Sequence, residues 1–171
     1  MNNFAICYIN GIKTQILPEH AFMTLAQFLR YQRGLTGTKI VCSEGDCGAC
    51  SVLISEYREG KMQAPYTVNS CIRFMFQTHQ THIVSVEGLQ SKDTLHEVQA
   101  KIMEQHATQC GYCTPGFVVT AKALLDRNPN PTEEEIREAL SGNLCRCGTY
   151  PQHPKAVLEA AQELKARREV T

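Results

Sequence analysis

Eight of the nine cysteines fall into two tight groups, and thiolates so spaced bind metal. Cys42, Cys47, Cys50 and Cys71 are spaced C-x4-C-x2-C…C, the arrangement that holds a plant-type [2Fe–2S] cluster. Such a cluster needs four thiolates around two irons. Its loop must wrap closely enough to turn backbone N–H groups toward the sulfurs, where they stabilise added electron density. Gly45 and Gly48 permit the positive φ and close approach this requires, and Ala49 leaves room between Cys47 and Cys50. Structural zinc sites favour two C-x2-C knuckles instead of a three-plus-one grouping with glycines between.

The second group is Cys110-Gly111-Tyr112-Cys113 with Cys145-Arg146-Cys147, or C-x2-C…C-x-C. Each pair stands in a loop ahead of a predicted helix, where free N–H groups and the helix dipole suit an anionic thiolate site. Taken alone, this spacing is open to a second iron–sulfur cluster or to zinc. Cys7 is left over. It lies on a short first strand whose alternation sets it opposite Phe4, Ile6 and Tyr8, and it reads as a small core residue.

The elements that must position these thiols change character near residues 88 to 93. Before that point the chain reads as mixed α and β. A hairpin closes on Asn10-Gly11, a short amphipathic helix covers residues 24–31, and strands cover 51–56, 66–68 and 83–86. Beyond it the period is that of helices. Leu95, Val98, Ile102 and Met103 form a stripe, and Thr114-Pro115 reads as an N-cap with proline at N1. Thr132 and Glu135 form a capping box, and a last helix runs through Val157 and Ala161 toward Arg167. This gives about four helices with no strand. Two domains are expected, 1–88 and 89–171.

Composition narrows the classes. Lys plus Arg equals Asp plus Glu at 17 each, so the basic excess of a non-specific nucleic-acid binder is missing. No apolar run approaches the roughly 18 residues of a membrane span, and Met1 to Phe4 lacks a leader's pattern. A cytoplasmic location, with reduced thiols, is expected. None of His20, His79, His82, His96, His106 and His153 has a motif around it, so each is expected to be solvated or half-buried.

Five ordered motifs carry a resemblance: Cys42-Ser43-Glu44-Gly45-Asp46-Cys47-Gly48-Ala49-Cys50-Ser51-Val52, Val68-Asn69-Ser70-Cys71, Val86-Glu87-Gly88, Gln109-Cys110-Gly111-Tyr112-Cys113-Thr114-Pro115-Gly116 and Gly142-Asn143-Leu144-Cys145-Arg146-Cys147. Over roughly residues 4 to 165 the chain resembles the iron–sulfur subunit of molybdenum hydroxylases, the xanthine dehydrogenase and aldehyde oxidoreductase family. The resemblance implies an α+β architecture: a β-grasp ferredoxin-like domain, then an all-α four-helix domain, each holding one [2Fe–2S] cluster. The eight cysteines of the two groups would be the ligands. It implies partner chains bearing a molybdenum–pterin centre and FAD, with electrons passing from the former through both clusters to the latter. It also places Gln109 and Cys147 next to the pterin. No substrate chemistry is expected on this chain, which should be one subunit of a heteromeric enzyme.

One stretch departs from the family. After Cys-Arg-Cys its commonest form is Thr-Gly-Tyr with an isoleucine three residues later. Here the chain reads Gly148-Thr149-Tyr150-Pro151-Gln152-His153-Pro154. The ligands are untouched, and the change bears on local packing or a partner surface. Residues 67–71 and 95–99 look more like xanthine dehydrogenases than carbon monoxide dehydrogenases. The substrate ranking is therefore a purine or other N-heteroaromatic first, aldehydes second, and carbon monoxide or an aromatic acyl-CoA last. Two other classes compete. A free ferredoxin-like carrier would keep a steering charge and need no helical domain. A zinc-stabilised interaction module would not need the glycine-laced loop.

Overall fold

The computed structural model describes residues 5–91 and 94–169. Strand β1 (Ala5–Ile9) turns into β2 (Ile12–Ile16) through Asn10 and Gly11 at φ 49° and 80°. Both central residues have positive φ, as the expected type I′ turn demands. Cys7 and Ile9 carry the buried face of β1, while Tyr8 is exposed. Cys7 is thus the core residue its place on the strand suggests, with Tyr8 on the opposite face; Phe4 lies outside the described residues.

The expected helix over 24–31 begins with a capping box: the Gln27 N–H donates to Thr24 Oγ1 and the Thr24 N–H to Gln27 Oε1. Only α1 (Leu25–Gln27) is α-helical, and the chain then widens into a π turn over Phe28–Gln32. Arg30 Nη1 donates to the carbonyls of Thr36 and Thr38 at 2.8 and 2.9 Å, drawing the helix end toward the cysteine loop. Leu25, Phe28 and Leu29 are buried as their spacing predicts.

Strands β3 (Ser51–Arg58), β4 (Lys61–Met62), β5 (Tyr66–Asn69) and β6 (Thr81–Val84) complete one sheet. Its order is β2-β1-β6-β3, with β4 and β5 both on the far side of β3. β1 runs parallel to β6 and the other pairs are antiparallel. A parallel pair needs a long crossover, and here that crossover carries α1 and the loop with Cys42, Cys47 and Cys50. The last strand ends at Val84, not Val86, because Val86–Leu89 coils into a 3-10 turn.

The second half holds α2 (Glu97–Glu104), α3 (Thr114–Arg127), α4 (Glu133–Ala139) and α5 (Gln152–Glu169). Of the expected stripe, Val98 and Ile102 are buried, whereas Leu95 and Met103 are exposed. Thr114 is not the cap of α3. Cys113 is, and Thr114 takes the first helical position with its hydroxyl 2.8 Å from that of Thr108. The Thr132 capping box forms as expected.

β3 explains how the halves join. Val52 and Ile54 face the core around α1, while Leu53 points the other way and packs with Val119 and Ala123 of α3. The sheet is thus covered on both faces, which is why β3 is a continuous apolar run and not an alternating one.

Candidate metal centres

The first set of thiols hangs on a loop fixed at both ends. The α1 amides of Leu25 and Ala26 donate to the carbonyls of Arg73 and Ser70, tying the helix to the Cys71 segment. Ser70 Oγ donates to the Cys50 carbonyl at 2.6 Å, and Asn69 Nδ2 to the Gly45 carbonyl. Within the loop Gly45 and Gly48 stand at φ 83° and 70°, as their expected role requires.

The four sulfurs sort two and two. Cys42 lies against Cys47, and Cys50 against Cys71, whose N–H also donates to Cys50 Sγ at 3.4 Å. Backbone N–H groups of Glu44, then of Cys47 and Asp46, point at Cys42 and lower its thiol to about 6. Burial raises Cys47, against the N–H of Ala49. Burial, then the neighbouring Cys50, pushes Cys71 up to about 12, while the Gly45 N–H pulls the other way. Loop amides thus favour the thiolate of Cys42, while burial holds Cys47 and Cys71 as thiols until a metal supplies the opposing charge.

The second set repeats the arrangement with a different scaffold. Cys110 lies against Cys147, and Cys113 against Cys145. The Tyr112 N–H, followed by Cys147, lowers Cys110, and burial raises Cys113 to about 12. Burial also acts to raise Cys145, yet the Thr149 hydroxyl and the N–H groups of Thr149 and Gly148 bring it down to about 7. Cys110 and Cys147 are exposed, while Cys145 is buried. Gln109 is exposed beside the outer pair.

Pairs are what a [2Fe–2S] cluster asks for, since each iron takes two protein thiolates. A single zinc would gather four about one point instead. The residues present fit the cluster at both places. Cys7 belongs to neither set: it is fully buried in the core of the first half, and burial raises its thiol.

The two loops touch. The Leu144 N–H, one residue before Cys145, donates to the Cys47 carbonyl at 3.0 Å. Asn143 Nδ2 donates to the Gly48 carbonyl at 3.1 Å. Gly116 packs so closely on Gly48 that a Cβ there would stand 2.2 Å from the Gly48 oxygen. Glu87 ties the linking segment to the loop side, accepting from the Gly37 N–H at 2.7 Å and the Ser85 hydroxyl at 2.6 Å. Gly116, Asn143 and Glu87 stand within the five motifs, but nothing in their spacing gives them a role. Their partners lie 50 to 95 residues away, so only the docked halves reveal them.

His153 lies deeper than its sequence suggests. Expected to be solvated or half-buried, it is 1% exposed, and Pro154 is buried with it. The departure from the commonest family form therefore puts His153, Pro154 and Thr149 into the helical core, while Gly148, Tyr150, Pro151 and Gln152 stay exposed. No helix among the described residues is long and apolar enough to cross a membrane.

A fold with a mixed sheet, a four-helix half and a paired-thiol site in each defines a chain built for two [2Fe–2S] clusters. Comparison with known proteins agrees. Residues 7–75 match the 2Fe–2S iron–sulfur cluster binding domain and residues 85–158 the [2Fe–2S] binding domain. The chain is 47% identical over 150 residues to xanthine dehydrogenase 1 of Arabidopsis thaliana, covering 85% of this chain and 11% of that protein. It is 43% identical over 139 residues to a probable aldehyde oxidase of Caenorhabditis elegans, covering 81% and 11%. The chain thus spans about a tenth of the length of these curated relatives. In the crystal structure of quinoline 2-oxidoreductase from Pseudomonas putida 86, a chain 38% identical superposes with a TM-score of 0.80, over 96% of both chains. The aldehyde oxidoreductase of Desulfovibrio gigas gives 0.83 at 35% identity, over 96% of this chain and 17% of that one. The chain belongs to the iron–sulfur component of the molybdenum hydroxylase family, of xanthine dehydrogenase and aldehyde oxidoreductase type.

Proposed function

We propose that this chain is the electron-transfer subunit of a molybdenum hydroxylase, with Cys42, Cys47, Cys50 and Cys71 holding one cluster and Cys110, Cys113, Cys145 and Cys147 the other. When bound, the two [2Fe–2S] clusters supply one-electron storage between a molybdenum–pterin centre and an FAD, each carried by a partner subunit. The observation that carries the reading is the contact between the two ligand loops, Leu144 N–H to Cys47 C=O. A scaffold protein with two independent metal sites has no need to press them together through glycine backbones. A chain that must pass electrons between them does.

The residues divide the work. Loop amides around Cys42 and the N–H groups of Gly148 and Thr149 near Cys145 stabilise negative charge on sulfur. Leu53, Val119 and Ala123 exclude water from the joint between the halves, a division we place at residues 88 and 89. Residues 92 and 93, inside the window where the sequence changes character, lie outside the described residues. The exposed edge formed by Gln109, Cys110 and Cys147 is the side we assign to the pterin-bearing partner.

For substrate we rank purines and other N-heteroaromatics first and aldehydes second. Xanthine and quinoline, named in two of the similar proteins, are both N-heteroaromatic rings. The test is anaerobic purification of the complex, with iron, zinc and sulfide counted per copy of this chain. Four irons, four sulfides and bleaching of the visible bands by xanthine or a quinoline would support the reading. Zinc in either site, or clusters that no such substrate reduces, would overturn it.

A further inference from the structure

His153 opens α5 and turns into the core, where its ring stacks on Phe117 with centroids 3.8 Å apart and planes 12° from parallel. Its Nε2 lies 2.9 Å from Thr149 Oγ1, and that oxygen lies 3.0 Å from Cys145 Sγ. Nδ1 is buried without a hydrogen-bond partner. A chain of three polar groups thus runs from the middle of the helical core to one sulfur of the second site.

The direction of that chain follows from counting protons. A thiolate bound to iron can only accept, so the Thr149 hydroxyl must donate its single hydrogen to Cys145 Sγ. The hydroxyl oxygen can then only accept from the imidazole, which places the ring proton on Nε2 and leaves Nδ1 bare. A free Cys145 thiol would allow the chain to run the opposite way. Burial depresses the imidazole to about 4, so the ring acts as a neutral donor. A donor that polarises a second donor strengthens it. An isoleucine, the residue of the commonest family form at this place, would fill the space without leaving a buried nitrogen unpaired.

We infer that His153 is a positioning residue for the helical-domain cluster: through Thr149 it fixes a hydrogen bond onto the Cys145 sulfur and makes that cluster easier to reduce. The inference rests on the reading of Cys145 as a cluster ligand. Hydrogen bonds to cluster sulfurs offset the charge gained on reduction and raise the potential. Removing the imidazole frees the hydroxyl to rotate away, while the thiolate coordination stays intact. The cluster is then retained with a changed potential, and recovery with a side chain that restores the donor separates this from a packing effect.

The experiment is a redox titration of the purified complex, following the two electron paramagnetic resonance signals separately. His153→Ile is expected to shift the reduction equilibrium of the helical-domain cluster toward the oxidised form by up to roughly tenfold, about 59 mV for a one-electron couple. The ferredoxin-domain midpoint should not move. Thr149→Val should shift the same signal at least as far, and the double variant no further than Thr149→Val alone. His153→Gln places an amide N–H near the position of Nε2 and should restore most of the shift. An unchanged helical-domain midpoint in a cluster-replete His153→Ile protein would overturn the inference. If that variant does not retain its iron, Thr149→Val decides instead, and an unchanged midpoint there overturns it equally. A wild-type complex with no second signal would overturn the ligand reading itself, a separate result.

Discussion

Gly116 is where the two halves come closest, and replacing it with alanine tests whether that contact sets their docking. It is the third residue of α3, and an added Cβ would meet the Gly48 oxygen at 2.2 Å and Asn143 Nδ2 at 2.9 Å. The near atoms belong to backbone and to a buried side chain, so the two loops must part by about 1 Å to reach normal contact. Overpacking of this kind costs about 1–3 kcal/mol, and loss of the Asn143 bond to Gly48 about 1 more. Alanine returns up to about 1 kcal/mol of helix propensity. The net is a loss of roughly 2 kcal/mol, or a fall of about 4–8 °C in the apparent melting midpoint for a chain of this size. Gly142→Ala is the control, because a Cβ there meets nothing within 4 Å. Both variants would be melted while the visible cluster bands are followed. The magnetic coupling between the two reduced clusters would be compared in parallel. If Gly116→Ala melts with Gly142→Ala and keeps the wild-type coupling, the contact does not fix the spacing of the sites and the reasoning fails.

The remaining predictions concern single groups. Cys50→Ser should abolish the ferredoxin-domain resonance signal and spare the helical one; survival of both would remove Cys50 from the ligands. Gln109→Ala should slow reduction of the clusters by substrate while leaving iron content unchanged, and an unaltered rate would take Gln109 off the partner-facing edge. Acid should destabilise the fold through His153. Its folded value of about 4 lies below the ordinary 6.5, so the unfolded chain binds the extra proton. Stability from this group is complete above pH 6.5 and is lost as pH falls toward 4, by about 2 kcal/mol at pH 5. Melting midpoints of wild type and His153→Ile should therefore converge or cross on acidification, and strictly parallel curves would refute the buried neutral ring.

The cysteine sets were legible as metal-binding groups because each loop carries its thiols within a few residues; the first spacing points to a wrapped cluster, and the second alone leaves zinc open. The hairpin at Asn10-Gly11 and the Thr132 capping box were legible for the same local reason. Faces and caps are less legible. β1 is apolar at Ala5, Ile6, Cys7, Tyr8 and Ile9 alike, so alternation could not say which side is buried. Thr-Pro at 114 and 115 has the chemistry of a cap, but the helical turn starts one residue earlier, at Cys113, and Thr114 pairs with Thr108 instead. The burial of His153 is not legible locally, because it depends on what lies opposite the helix face, and Phe117 is 36 residues away in sequence.

The asymmetry of the two sites has a consequence for direction. In the helical half the outer pair, Cys110 and Cys147, is exposed, while Cys145 is buried beside the joint. Across the joint stands Cys47, whose carbonyl accepts from Leu144. The helical site thus has one edge open to solvent and one closed against the other site. A carrier that exchanged electrons with many proteins would profit from long-range charge to guide encounters, yet this chain has equal numbers of acidic and basic residues. Its fixed contacts supply instead what steering would have to achieve. Apolar packing of Leu53 on Val119 and Ala123, together with glycine-to-glycine backbone contact, holds the two ligand loops together permanently. Only the exposed edges are left to specify partners.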